Sequence, residues 1–372
     1  MSQQNMAKNL VVIGYNKEAY KIIYRRIRTK LYERIESARK ELSNSKNPND
    51  IKFHNESTES IINDYLHFPE RLMEENPIYD KRHQQTDKIA SAYLLSRFIG
   101  SAMNANRKTA FFRQYFNTNW TVYRKHLFGE ALSCDEKNIL SQHIGEALFE
   151  LDHIQILKQT GTRKKILENL KVLGQKTAGI KFDESDFSGQ DKKIFTQLAE
   201  AILQACRYIV ANGGPIKCLK RYDRTIFDPA KSDFDKVKQL SDEIQRIKGF
   251  GPALSRDFFK DMGYGIFSKP DVHVLDVINR LNLHLYYEWG DDQADRASRL
   301  LSEIAKSVST SDNIVTANQV DKMIWLMKSG RYHIHRLSKG FKMEDEECRK
   351  FCEKTLNEIA NKSICEVVSI VP

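Results

Sequence analysis

Residues 247–253 read Ile-Lys-Gly-Phe-Gly-Pro-Ala and separate two segments that have the apolar periodicity of an α-helix. In the first segment, apolar residues recur at intervals of three or four: Phe234, Val237, Leu240, Ile244 and Ile247. In the second segment they are Leu254, Phe258 and Met262, and Gly263 stands where a helix would end. The pattern therefore predicts two amphipathic helices joined by a short hairpin.

The composition of this hairpin is suited to binding an anion. Gly249 and Gly251 permit positive φ angles and a close approach to the backbone, and Pro252 suits the first helical position, which needs no N–H partner. Amides at such a helix N-terminus point outward and favour a phosphate. A dinucleotide-binding turn does not fit, because it requires a preceding β-strand and a third small residue where Leu254 stands.

A second motif follows the hairpin. Asp271 stands eighteen residues after Ala253, and residues 269–274 read Lys-Pro-Asp-Val-His-Val. Together the two motifs resemble the helix–hairpin–helix superfamily of base-excision DNA glycosylases, which includes endonuclease III. The resemblance is specific over about residues 234–283 and loose elsewhere.

The resemblance implies a predominantly all-α protein with the two-lobed helical fold of these glycosylases. It assigns the role of catalytic carboxylate to Asp271. It assigns DNA binding to the hairpin residues, namely Lys248, Gly249, Phe250, Gly251 and Ala253. Bifunctional members carry a Schiff-base lysine two residues after the second glycine, where this chain has Ala253. The resemblance therefore implies a monofunctional DNA glycosylase, without lyase activity, that hydrolyses the N-glycosidic bond of a flipped, modified or damaged base and leaves an abasic site.

Each part of the motif also has a simpler interpretation. Asp271 fits a structural role as a helix N-cap, and His273 fits a packed or hydrogen-bonded residue better than a proton-transfer residue. Without catalysis the chain would be a helix–hairpin–helix DNA-binding protein, and a helical protein–protein adaptor is a weaker alternative. A glycosylase that acts on hypermodified phage bases in antiviral defence is an alternative to one that serves base excision repair.

Composition and charge agree with a nucleic-acid partner. The chain has 372 residues, with 59 Lys and Arg against 49 Asp and Glu, for a net charge of +10. Such an excess agrees with a polyanionic partner, and the resemblance implies that this partner is double-stranded DNA containing a modified base. No apolar run has the length of a secretory signal or a membrane span. We therefore expect a cytoplasmic protein without membrane attachment, and no obligate protein partner is evident.

The cysteines predict free thiols and no cofactor. Cys348, Cys352 and Cys365 are separated by three and twelve residues. The C-terminal iron–sulfur cluster of some members of the superfamily needs four cysteines at other spacings, so we expect no cluster. Zinc is not expected either, because there is no Cys-x2-Cys pair and the His333-x-His335 pair has no partner ligands nearby in sequence. We expect no metal at all.

The chain as a whole suggests three regions. Residues 1–60 are expected to form an N-terminal helical extension, whose apolar stripe is Ala19, Ile23, Ile27, Leu31 and Ile35, and a polar linker at 43–60. Residues 61–340 are expected to form the glycosylase core, with the helix–hairpin–helix at 234–263 and the aspartate segment at 269–283. Residues 341–372 are expected to form a C-terminal helix and tail. Arg25, Arg26, Arg28 and Lys30 fit a solvated basic helix face or a contact to the DNA backbone.

A helix–loop–helix pattern around residues 90–116 offers a further candidate. Met103 and Asn104 lie where the superfamily places the side chain that fills the gap left by the extruded base. No sequence motif supports this assignment, and an ordinary interhelical turn is the alternative.

Overall fold

A computed structural model describes residues 17–67, 72–79, 86–104, 116–176, 194–281 and 293–368, with side chains described as far as residue 362. These residues are predominantly helical and contain no β-strand, in agreement with the predicted all-α class. The α-helices are α1 Lys17–Glu41, α2 Pro48–Asn55, α3 Thr58–Leu66, α4 Asp87–Met103, α5 Trp120–Leu127, α6 Cys134–Ser141, α7 Ile144–Ala147, α8 His153–Gln159, α9 Arg163–Lys176, α10 Ile194–Ala211, α11 Pro215–Ile226, α12 Asp233–Gln245, α13 Pro252–Lys260, α14 Val272–Arg280, α15 Gln293–Val308, α16 Ala317–Ser329 and α17 Asp345–Val368. A 3₁₀ turn, Phe149–Leu151, precedes α8.

The chain divides into two compact units. The first, here called the terminal unit, combines the chain before residue 70 with the chain from Gly265 onward. The second, here called the inserted unit, is Glu70–Tyr264. This division differs from the three regions that the sequence suggested, since it joins residues 1–60 to the C-terminal part of the chain. The hairpin belongs to the inserted unit and Asp271 to the terminal unit.

Helix α1 is a core element of the terminal unit. All members of its predicted apolar stripe are buried, namely Ala19, Ile23, Ile27, Leu31 and Ile35. The helix packs against α15, α16 and α17. Because apolar burial is the main favourable term in folding, α1 stabilises the unit that also carries Asp271.

The segment 43–60 is not a linker. Asn47 caps α2, since its side chain accepts a hydrogen bond from the amide of Asn49 at 2.9 Å, and Pro48 takes the first helical position. Asp50 is fully buried and accepts a hydrogen bond from the Ser338 amide at 2.9 Å. The sequence prediction was wrong here because Asn-Pro is as typical of a helix start as of a turn.

The inserted unit is organised around α4. This helix packs against α10, α11 and α13, and it is buried around most of its circumference, as is typical of a central helix. Thr86 caps its N-terminus by accepting a hydrogen bond from the Ile89 amide. Helix α4 thereby forms the base against which α13, the second helix of the hairpin, is placed, and α12 packs on α13.

Within the described part of the chain, no helix combines the length and the apolar character needed to cross a bilayer.

Candidate functional site

The predicted hairpin between two helices is present. Helix α12 ends at Gln245, α13 begins at Pro252, and the turn between them is closed by a hydrogen bond from the Phe250 amide to the Ile247 carbonyl at 3.0 Å. Pro252 occupies the first helical position as expected. The local geometry that the sequence predicted for residues 234–263 is therefore confirmed.

The two hairpin glycines serve different purposes. Gly249 has a φ of +98°, which disfavours any side chain. Gly251 has a φ of −87° and an extended ψ, a conformation that every residue adopts readily, so the positive φ that a glycine permits is not used at this position. A Cβ atom at Gly251 would meet nothing within 4 Å. The missing side chain of Gly251 thus leaves open space in front of the backbone.

Phe250 packs the hairpin against α4. Its side chain is buried, and its ring lies 5.7 Å from that of Phe98 on α4 in a T-shaped contact. Phe98 in turn stacks on Phe258 of α13 with ring centroids 4.1 Å apart. Such aromatic pairs stabilise beyond their area burial. Of the predicted DNA-binding residues, Phe250 is thus a support, while Lys248 and both glycines are exposed.

The start of α13 leaves amides available to a ligand. Gly251 supplies no capping side chain, and the first intrahelical bond runs from the Ser255 amide to the Gly251 carbonyl at 3.0 Å. The amides of Ala253 and Leu254 precede that bond and have no acceptor four residues back within the helix. Together with the exposed Lys248, this helix start favours an anion.

The segment before Asp271 is fixed to α16. The Asn318 amide donates to the Gly265 carbonyl at 3.0 Å, and the Lys269 amide donates to Asp321 Oδ2 at 3.2 Å. A Cβ atom at Gly265 would lie 2.9 Å from the Thr316 side chain. These contacts determine where the chain enters α14 and hence where Asp271 lies.

Asp271 is the N-cap of α14. Its Oδ1 accepts hydrogen bonds from the amides of His273 at 2.9 Å and Val274 at 3.3 Å. The side chain is therefore held in one orientation, and the residue is partly exposed. Val272, the next residue, presents an apolar side chain that is 69% exposed. Asp271 therefore caps α14 and also presents a partly exposed carboxylate in a fixed orientation.

His273 lies in a positively charged environment. Burial lowers the pKa of His273 below its ordinary value; Asp271 opposes this shift, whereas Arg331, Lys328 and Lys342 add to it. Burial and the neighbouring cations therefore favour the neutral form of the imidazole.

Arg331 and Lys342 were not singled out from the sequence. Two backbone hydrogen bonds bring their segments together: Phe341 N to Gly330 O and Met343 N to Lys328 O, both 3.0 Å. Gly330 has a φ of +58°, and a Cβ atom there would lie 1.9 Å from the Phe341 carbonyl oxygen. We call the exposed pair Arg331 and Lys342 the basic edge. Only the positive φ at Gly330 makes this close pairing possible.

A buried ion pair fastens the basic edge to α14. The Lys328 side chain is 4% exposed, and its Nζ lies 2.8 Å from Asp276 Oδ2 and 2.9 Å from Asp345 Oδ1. Arg280 also donates to Asp276 at 2.8 Å. Burial alone would raise the pKa of Asp276, but the hydrogen bonds from Lys328 and Arg280 hold it below its ordinary value. The network ties residues 328–343 to the helix that Asp271 caps.

The candidate wedge residues take different positions in the inserted unit. Met103 is buried, so its side chain is not presented to solvent. Asn104 is partly exposed and donates a hydrogen bond to Asp257 Oδ2 at 2.9 Å, which joins the end of α4 to α13.

The basic residues of α1 form ion pairs with acidic residues of the same unit. Its ion pairs are Arg25 and Arg26 with Glu358, Arg28 with Glu59, and Lys30 and Arg34 with Glu347. A paired guanidinium or ammonium offers less attraction to a phosphate than a free one. The pairing therefore favours the interpretation as a solvated face over a DNA contact.

The buried His335 has acidic neighbours that the sequence did not predict. Glu56, Asp64 and His335 offer ligand atoms within 4.8 Å of one another. However, His335 Nε2 already contacts Glu56 Oε2 at 3.2 Å, and Nδ1 contacts the Tyr65 hydroxyl at 3.2 Å. Tyr65 also accepts from the Ile334 amide. Both ring nitrogens therefore have hydrogen-bond partners, and the group is explained as a buried Tyr–His–Glu network that joins α3 to the 331–336 loop.

Of the cysteines whose side chains are described, Cys134 is exposed and the other four are buried. Five are free thiols: Cys134, Cys206, Cys218, Cys348 and Cys352. Cys348 and Cys352 lie one turn apart on α17 and are buried. The side chain of Cys365 lies outside the described residues.

Comparisons with known proteins return no relative: the chain matches no protein-family model, no curated protein and no solved structure.

Proposed function

We propose that this protein is a monofunctional DNA glycosylase with the two-lobed helical fold of the helix–hairpin–helix superfamily. The observation that carries the proposal is the orientation of Asp271: two amides of α14 hold its carboxylate, and the residue remains partly exposed. The preceding hairpin, with its positive φ at Gly249 and its uncapped helix start, supports a DNA ligand.

The hairpin would anchor one strand of the duplex. The amides at the start of α13 and the ammonium of Lys248 bind a backbone phosphate without reading the base sequence. The open space in front of Gly251 lets the strand approach the backbone. Extruding the target base costs a few kcal/mol, and this anchoring offsets part of that cost.

Asp271 would act on the glycosidic bond. As the base leaves, positive charge develops on the sugar, and an ionised carboxylate at a fixed position stabilises that oxocarbenium-like state. The same carboxylate orients or deprotonates the attacking water. Ala253 has no amine to form a Schiff base with the sugar, so the product is an abasic site in an intact strand.

Three substitutions of Asp271 test this proposal. Asp271→Asn and Asp271→Ser remove the carboxylate but keep an N-cap, so they should fold normally, bind DNA and lose about 10²-fold or more in base release. Asp271→Ala removes both and should also lose about 1 kcal/mol of stability. The measurement is mass spectrometry of free base from DNA carrying oxidised, alkylated, deaminated or hypermodified bases, with alkali cleavage at abasic sites.

The outcomes distinguish catalysis from capping. Full base release by the Asn and Ser variants would contradict the catalytic assignment. Borohydride treatment of the same mixtures should trap no enzyme–DNA adduct, and a strong adduct would contradict the monofunctional assignment. Activity confined to hypermodified phage DNA would favour a defence role over base excision repair.

One observation favours a second function. The capping hydrogen bonds of Asp271 give the residue a structural purpose that requires no catalysis. Under this alternative the chain is a non-catalytic helix–hairpin–helix DNA-binding protein. Binding of duplex DNA by wild type and by all three variants, with no base released from any DNA, would support it.

A further inference from the structure

We propose that the basic edge, Arg331 and Lys342, is a second phosphate-binding site that holds the DNA backbone next to Asp271. This inference rests on the proposed function in taking DNA as the ligand. It goes further by assigning a contact to residues outside both motifs.

The charges of the basic edge are available to a ligand. Arg331 and Lys342 are both exposed, and neither forms an ion pair with a described acidic residue. Their neighbour Lys328 is instead buried between Asp276 and Asp345 and cannot reach a ligand. Two exposed cations on adjacent segments suit the dense negative charge of a DNA backbone.

The backbone of the basic edge is held by the pairing of its two segments. Arg331 follows Gly330, and Lys342 lies between the two residues whose amides donate across the pairing. The close approach at Gly330 leaves no room for a side chain. Backbone positions that are fixed before binding lose less entropy on binding. The backbone positions that carry the two cations of the basic edge are therefore fixed before a ligand binds.

The basic edge is connected to α14, the helix that Asp271 caps. Lys328 joins the edge to Asp276, which lies on α14 five residues after Asp271. Arg331 and Lys342 lie on the two paired segments that Lys328 ties to α14, and both cations lower the pKa of His273 near the start of that helix. The exposed Val272 extends this face with an apolar contact surface.

The negative charge of Asp271 also makes nearby cations useful for binding DNA. An ionised carboxylate repels the phosphates that flank a bound nucleotide. Two cations near the start of α14 offset that repulsion while leaving the carboxylate free of a direct ion pair. A glycosylase that uses Asp271 therefore benefits from cations in this position.

The test is the salt dependence of DNA binding. Full-length wild type, Arg331→Ala/Lys342→Ala and the charge-preserving Arg331→Lys/Lys342→Arg variant are titrated against a labelled, undamaged duplex between 50 and 300 mM NaCl, roughly the range over which phosphate contacts dominate. The matched control is Arg25→Ala/Arg28→Ala on α1, which removes the same number of exposed charges. Fluorescence anisotropy gives the affinity, and circular dichroism confirms the fold of each variant.

The alanine variant of the basic edge should reduce the slope of log K against log [NaCl] by about 2 and weaken binding about tenfold at 150 mM salt. The charge-preserving variant and the α1 control should keep the wild-type slope. An unchanged slope in the alanine variant would overturn the proposal. So would an equal reduction in the α1 control, because the effect would then report net charge alone.

These results are separable from a failure of the glycosylase proposal. If the alanine variant reduces the slope as expected but wild type releases no base, the glycosylase assignment fails and the basic edge stands. If base release proceeds normally while the slope is unchanged, only the basic edge fails. Absence of any wild-type affinity at 50 mM NaCl would overturn both.

Discussion

Two basic regions of the terminal unit differ in how their charge is used. On α1, the ion pairs are Arg25–Glu358, Arg28–Glu59, Lys30–Glu347 and Arg34–Glu347. At the basic edge, Arg331 and Lys342 have no such partner among the described residues. The denser run of positive charge in the sequence is therefore the less available one. Which cations are available to bind a polyanion is therefore decided by ion pairing in the folded protein and not by the number of basic residues in a stretch of sequence.

The largest expected effect comes from removing α1 altogether. Deletion of residues 1–60 should abolish the cooperative melting of the terminal unit, because α1 buries five Ile or Leu side chains there. Each contributes about 1.5–3 kcal/mol, and the total is comparable with the whole stability of a domain, about 5–15 kcal/mol. Circular dichroism during heating measures it. A truncated chain that melts like wild type would mean that α1 is an accessory extension and not a core element of the terminal unit.

The next effect separates buried from exposed charge at the basic edge. Lys328→Ala should lower the free energy of unfolding by about 1–3 kcal/mol, since Asp276 and Asp345 would lose a common partner while Asp276 keeps Arg280. The neighbouring Lys342→Ala should change it by less than about 0.5 kcal/mol. Urea denaturation at pH 7 measures both. Equal losses in the two variants would mean that Lys342 is part of the structural network and unavailable to DNA.

The same ion pair predicts a pH dependence. The pKa of Asp276 is lowered in the folded chain despite its burial, so its contribution is present above the pKa it has when unfolded. That contribution disappears as the pH falls through the folded value. Wild type should therefore lose stability in acid more steeply than Lys328→Ala, from which most of the Asp276 contribution is already missing. Parallel acid curves would contradict this role of Lys328.

The smallest effect concerns His273. Burial lowers its pKa first, and the positive charges of Arg331 and Lys342 lower it further. Arg331→Ala/Lys342→Ala should therefore raise the pKa of His273, whereas Arg25→Ala/Arg28→Ala should leave it unchanged. NMR titration of the ring, assigned with a His273→Gln variant, measures the shift. A pKa that is the same in both double variants would place the basic edge away from Asp271.

The local features of the candidate site were predictable from the sequence. Gly249 and Pro252 determine a turn between helices because one permits a positive φ and the other starts a helix. Asp271 before an amphipathic stretch indicated the N-cap that the structure contains. The apolar stripe of α1 was likewise readable from its periodicity. These features depend on residues within one or two turns of each other.

The remaining features depend on contacts between residues far apart in the chain. Asp50 gave no sign that it would be buried against Ser338, and Lys328 gave none that it would bind Asp276. The hydrogen bonds that create the basic edge join segments without a shared motif. Periodicity and capping signals carry no information about such pairings. For the same reason, the sequence suggested a division at residues 60 and 340 instead of an inserted unit.

The composition of the terminal unit from both ends of the chain has a consequence for biosynthesis. A ribosome releases α1 first, but α15, α16 and α17, against which α1 packs, are made last. The inserted unit contains all of its own helices by residue 264 and can form its core while translation continues. The part of α1 that packs on α15, α16 and α17 must therefore wait for its partners until the inserted unit has been made. Chains stalled after residue 264 should protect the inserted unit from protease while α1 is still cleaved.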